Sequence, residues 1–144
     1  MLVYELGREV VERLIRVEIT HEDLTETVAD TDQTLPVYNV KPGELVEIVS
    51  YELLEAFEDE SDSAFNSTAL SGGDGADPDH FLAATQMNAN GSAVTHKAGT
   101  GTRKMYTAGD TVDLLVESMA AKSLSNIDTG RAVVVLGVFS SKGV

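Results

Sequence analysis

Three aspartates in a glycine-rich stretch come nearest to chemistry by type and spacing. Asp74, Asp77 and Asp79 lie within Ser71-Gly-Gly-Asp-Gly-Ala-Asp-Pro-Asp79. Carboxylate oxygens held close together in such a loop could bind calcium. The spacing departs from a helix-loop-helix calcium loop, whose glycine and final glutamate are out of place here. The competing reading is a solvated turn in which Asp and Gly serve backbone geometry. That reading is favoured, and no metal is expected. His80 follows directly and reads as a polar loop residue.

Other chemistries find less support. His21, His80 and His96 lie far apart, and none sits in a His-x-Glu-x-x-His pattern. Glu58, Asp59, Glu60 and Asp62 could supply a carboxylate pair for glycoside hydrolysis, yet a clustered acidic run without aromatic platforms reads as an exposed loop. Gly72-Gly-Asp-Gly75 and Gly99-Thr-Gly101 lack the Gly-Lys-Ser/Thr of a phosphate-binding loop. Ser118, Ser123 and Ser125 lack a Gly-x-Ser-x-Gly elbow. No catalytic residue and no cofactor are expected.

Composition narrows the class. A chain of 144 residues, 42% apolar, is long enough for one domain with its own core. It has no cysteine, which excludes disulfides and thiolate zinc sites. No apolar run reaches the roughly 18 residues of a membrane helix, and the N-terminus does not read as a signal peptide. Tryptophan is absent and aromatics are 6%, against a stacking platform for sugars or single strands. The net charge is −14, with 17 acidic and 4 basic side chains in residues 1–62 and 7 and 6 in the remainder. Such a chain is repelled by phosphate backbones, so nucleic acid is a poor partner.

The elements that must position these residues read as strands. From Ile15 the apolar positions Ile15, Val17 and Ile19 alternate with Arg16, Glu18 and Thr20. Residues 21–33 read as a polar loop. Thr34–Val40 reads as a strand whose Pro36 confines it to an edge or a strand start. Lys41-Pro-Gly-Glu44 is a type II turn. Leu45–Val49 is a strand, and Tyr51–Phe57 is ambiguous: Tyr51, Leu54 and Phe57 have helical spacing, but the flanking strands favour strand. Phe65–Leu70 and Phe81–Met87 are expected as strands around the Gly/Asp turn, and Asn90-Gly91 marks a further turn. Residues 94–103 read as a loop and Lys104–Thr107 as a strand end. Thr111–Ser118 alternates strongly. Arg131–Phe139, β-branched and apolar on both faces, is expected as a central strand. The sum is an all-β domain: one β-sandwich or jelly roll of about eight short strands over residues 13–144, after an extended arm over 1–12. Tyr51, Phe57, Phe65, Leu70, Phe81 and Leu82 are the expected core.

From Leu54 to Phe139 the chain resembles small structural proteins of tailed-phage virions. The resemblance is carried by Glu55-Ala-Phe57, Asn66-Ser-Thr-Ala-Leu-Ser-Gly-Gly-Asp-Gly75, Asp79-His-Phe-Leu82, Met87-Asn-Ala-Asn-Gly91, Tyr106-Thr-Ala-Gly-Asp-Thr-Val-Asp-Leu114 and Leu124-Ser-Asn-Ile-Asp-Thr-Gly130. It implies a β-sandwich on the capsid exterior. There it would be a decoration or cement protein, binding the joints between major capsid protein subunits, often as a homotrimer, without nucleic-acid or membrane partners. The arm could add a strand to a neighbour's open sheet edge. A tail, baseplate or fibre-base protein fits the same pattern. From another class, a calcium- or glycan-binding sandwich stays open.

Overall fold

The computed structural model describes the backbone of residues 1 and 9–142, and the side chains of 1 and 12–140. In β1 (Glu9–Thr20), Ile15, Val17 and Ile19 turn inward while Arg16 and Glu18 turn outward, as the alternation predicts, and Leu14, which breaks the apolar pattern, also turns outward. Most of the expected arm, residues 2–8, lies outside the described residues; Glu9 to Glu12 pair in β1. Pro36 sits in β2 (Gln33–Val40), an edge strand with a register shift between Pro36 and Tyr38. The missing proline N–H therefore breaks no central ladder. The next turn forms as read: Glu44 N–H donates to Lys41 O at 3.1 Å, and Gly43 takes φ +88°.

β3 (Leu45–Glu58) is a single 14-residue strand. Its register shifts between Ile48 and Ser50 and again between Leu53 and Glu55. A third shift lies between Glu55 and Glu58, so the first moves the inward phase from Val46 and Ile48 to Tyr51, and the other two together return it for Phe57. Tyr51 and Phe57 both turn inward and Leu54 stays exposed, so the helical spacing of the three is a coincidence of sequence.

Two expectations are corrected around the Gly/Asp stretch. Residues 65–68 are not strand. Phe65 N–H closes a turn on Asp62 O (3.1 Å), and Thr68 N–H is taken by the Gln86 side chain (2.9 Å), so Phe65 plugs the core from a loop. β4 (Ala69–Gly73) instead runs into the glycines read as turn. A Cβ on Gly72 would lie 2.3 Å from Ile48 Cδ1 of the facing sheet, so glycine is there for close approach. β5 (Leu82–Gln86), β7 (Lys104–Met105), β8 (Asp110–Glu117) and β9 (Thr129–Lys142) fall where expected, while β6 (His96–Ala98) lies in the stretch read as loop. The run from Glu58 is only partly an exposed loop. Glu58 ends β3, and Asp59 is buried, its Oδ1 accepting from Ser61 N–H (3.0 Å) and Oγ–H (2.7 Å).

The strands form two antiparallel sheets, β1-β9-β3-β6, with β7 also on β3, and β2-β8-β4-β5. First pairs with last, second with second-last, and the pairs nest inward to the β4–β5 hairpin. This is the double-sheet jelly roll. β1, β3 and β9 are longer than expected, at 12, 14 and 14 residues. β9 lies between β1 and β3, which suits its apolar character on both faces. All six expected core residues are buried. Phe57, Phe65 and Met87 close one end of the sandwich, Phe81 and Tyr106 the other. Burying each large apolar side chain contributes about 1.5–3 kcal/mol.

Candidate interaction surface

Of the three aspartates, the structure singles out Asp74. It follows β4 directly and is buried. Its Oδ1 accepts from the N–H groups of Ala76 and Asp77, both at 3.0 Å. Its Oδ2 accepts from Lys104 Nζ at 2.6 Å and Tyr106 O–H at 2.8 Å. Burial alone would raise the carboxyl, but the bonds from Lys104, Tyr106 and the two N–H groups outweigh it and hold the pKa at about 2. Asp77 instead meets His80 Nδ1 at 3.1 Å, and Asp79 is exposed. The three carboxylates do not converge. Among the described residues, no three His, Asp or Glu side chains gather as a metal cage. Calcium at Asp74 would have to displace the Lys104 ammonium.

The histidines stay apart as well, His80 against Asp77 and His96 Nε2 3.5 Å from Glu52. A cleft of about 130 Å³ on the four-stranded sheet is lined by Thr34, Asp74, Gly75, Pro78, Asp113 and Leu115. Its carboxylates are engaged, Asp74 as above and Asp113 with Thr111 Oγ1 at 2.8 Å.

A second node, which spacing in the sequence did not reveal, ties both sheets to the β2–β3 turn. Glu44 is buried and accepts from Lys41 N–H (2.7 Å), Tyr38 O–H (2.9 Å) and Arg13 Nη2 (2.8 Å). Burial would raise its carboxyl, but these donors hold it below the usual range. Arg13 belongs to β1 and Tyr38 to β2, so the node clamps two sheet edges along one open side. On the other open side Gly99 N–H donates to Val49 O (3.2 Å), and Thr100 N–H to Phe81 O (2.9 Å).

The outer face of the five-stranded sheet mixes apolar and charged groups. Across it, Glu12 faces Phe139 and Leu45, Leu14 faces Gly137 and Glu47, and Glu18 faces Val133 and Glu52. Val133 is buried although it lies on this face, whereas Leu14 is 64% exposed and Met105 55%. Arg103 bonds Glu47 at 2.7 Å and stacks 4.6 Å from the Phe139 ring. Arg16 and Arg131 flank Glu18 at 2.8 and 3.6 Å.

The charge asymmetry becomes spatial. Loops 21–32, 59–68 and 118–128 meet at one end through Ser125 N–H to Glu26 O (2.9 Å), Asp30 N–H to Lys122 O (2.9 Å), Ser118 N–H to Asp32 Oδ1 (3.0 Å) and Glu60 N–H to Asp128 Oδ1 (3.0 Å). They carry nine acidic side chains against one lysine, Lys122, which pairs with Asp62.

One chain of the structure described as "Cyanophage Pam1 capsid asymmetric unit" superposes with a TM-score of 0.59 at 19% identity, covering 97% of this chain and 91% of that one. The fold is one found in phage capsids. A chain of "Acidic stable capsid structure of Helicobacter pylori bacteriophage KHP30" superposes with a TM-score of 0.56 at 14% identity, covering 94% of this chain and 96% of that one. No protein-family model and no curated protein matches the sequence.

Proposed function

We propose that this protein is a structural component of a tailed-phage virion, a non-enzymatic decoration or cement protein on the outside of the capsid shell. One observation carries the reading. The whole jelly roll, not a fragment, superposes on nearly whole chains in two phage capsid structures. A capsid chain matched end to end is itself a small stand-alone sandwich, the size expected of an accessory protein seated on a shell. The charge supports an exterior position, because a chain of net −14 is repelled by packaged DNA. The major capsid protein is the proposed partner. A homotrimer is proposed for the bound state, where three-fold positions of a shell would supply the axis. Many symmetric copies convert weak single contacts into firm attachment.

Particles that lack the protein are expected to lose their DNA at lower temperature and under milder osmotic shock than complete particles, and to recover when purified protein is added back. Equal robustness of the two kinds of particle contradicts cementing.

The Asp74–Asp79 loop is proposed to serve backbone geometry rather than calcium, since the Asp74 oxygens already accept four donors. A calorimetric titration is expected to show no calcium heat, and melting to be unchanged by chelator. Calcium-dependent melting would assign the loop to metal instead.

A further inference from the structure

Four of the five edge strands carry features that deter pairing with another chain, β7 being only 2 residues long. β6 is 3 residues long, β5 is 5, and β2 holds Pro36 beside a register shift. β1 carries none of these. It is 12 residues long, has no proline, and keeps one register with β9 from Glu9–Lys142 to Thr20–Arg131. Among the described residues, no strand pairs with its outer edge. At its centre stands Leu14, the most exposed large apolar side chain within a strand among the described residues.

We infer that β1 pairs antiparallel with β1 of a second copy, about a two-fold axis at Leu14. The outward side chains are arranged for it. Glu12 and Arg16 lie symmetrically about Leu14. In this register Leu14 meets Leu14 of the second copy, and Glu12 faces Arg16 of the second copy, twice, with each Arg16 shared between that Glu12 and the Glu18 of its own strand. Other registers are poorer. Centring on Ile15 sets Glu12 against Glu18, and centring on Arg16 sets Arg16 against itself. Centring on Val17 keeps two Arg16–Glu18 pairs but shortens the overlap and leaves Leu14 opposite Thr20. Of the outward side chains over residues 12–18, Glu12 and Glu18 are acidic and Arg16 is basic, while Arg13 turns to Glu44, so this edge is far less acidic than the chain as a whole and two copies can approach here with little repulsion. The Arg13–Glu44 and Arg13–Tyr38 bonds hold β1 in place for the contact. The result is a sheet continuous across both copies, with the outward mixed face of each in line.

The contact is isologous and joins copies in pairs, and it does not depend on the shell role. A pair that fails to bind shells, or a shell-binding single chain, separates the two ideas. Sedimentation equilibrium of the full chain is expected to give a two-chain mass. Leu14→Asp and Glu12→Arg are each expected to weaken association at least tenfold, and Glu12→Arg with Arg16→Glu to restore it to within about threefold. All three positions are exposed, so folding should tolerate the changes, which the melting curve checks. Because the chain lacks cysteine, Leu14→Cys supplies a single thiol. Opposed residues on antiparallel strands lie within disulfide reach, so it should cross-link far faster than Val28→Cys in an exposed loop. A single-chain mass up to roughly 100 μM, a double variant as weak as Glu12→Arg alone, cross-linking no faster than at Val28, or a three-chain mass untouched by Leu14→Asp would each overturn the inference.

Discussion

Asp74→Ala is expected to lower the unfolding free energy by about 3 kcal/mol, near the lower end for breaking a buried charge pair. The Tyr106 hydroxyl and the Ala76 and Asp77 N–H groups lose their acceptor, while Lys104, about a third exposed, can turn to water. Asp74→Asn keeps an acceptor and should cost less. The same residue sets part of the acid response. Its folded pKa of about 2 lies below the ordinary 3.8, so its contribution is present above about pH 4 and is lost as pH falls through about 2. That contribution is roughly 2 kcal/mol at neutral pH. Urea unfolding of wild type and Asp74→Asn at pH 7, 4 and 2.5 checks it: the difference should shrink with acid. A difference independent of pH would show that the carboxylate charge contributes nothing.

Gly99→Ala is expected to destabilise by at least about 3 kcal/mol, beyond ordinary overpacking. A Cβ there would lie 1.8 Å from the Ile48 carbonyl oxygen and 3.0 Å from that of Phe81. Backbone, unlike a side-chain tip, cannot swing aside. Relief requires β6 to part from β3 and Thr100 to leave Phe81, which opens one side of the sandwich. Gly75→Ala is the control. Nothing lies within 4 Å of its Cβ, and the change should be neutral to within about 0.5 kcal/mol. Thermal melting of the two variants side by side decides it. Equal midpoints would mean that the crossing at Gly99 relaxes freely.

The parts of the fold legible in the sequence are those in which local pattern and burial agree. β8 shows Val112, Leu114 and Val116 on one face, and all three are buried. β9 is apolar on both faces and is central. Legibility fails where tertiary contact overrides pattern. A bulge in β3 shifts its inward phase from Ile48 to Tyr51, and the helical spacing of Tyr51, Leu54 and Phe57 is a coincidence, since Leu54 is exposed. Gly72 and Gly73 read as turn because glycine usually marks one, yet they are strand residues kept small by Ile48 and by the Asp77 carbonyl. β6, only three residues long, shows no alternation to read. In the Asp74 node, the Gly/Asp turn chemistry was visible, but Lys104 and Tyr106 lie about thirty positions away. Only their shared face, two residues apart, hinted that they act together. Arg13, Tyr38 and Glu44 likewise come from two strands and a turn that topology alone brings together.

The most direct test of the shell role is electron cryo-microscopy of purified virions whose genome encodes this protein. The account predicts symmetric, repeated density on the outer capsid surface into which the two-sheet jelly roll fits, in contact with the major capsid protein. Density confined to the tail or baseplate, or particles that contain none of the protein, would contradict it.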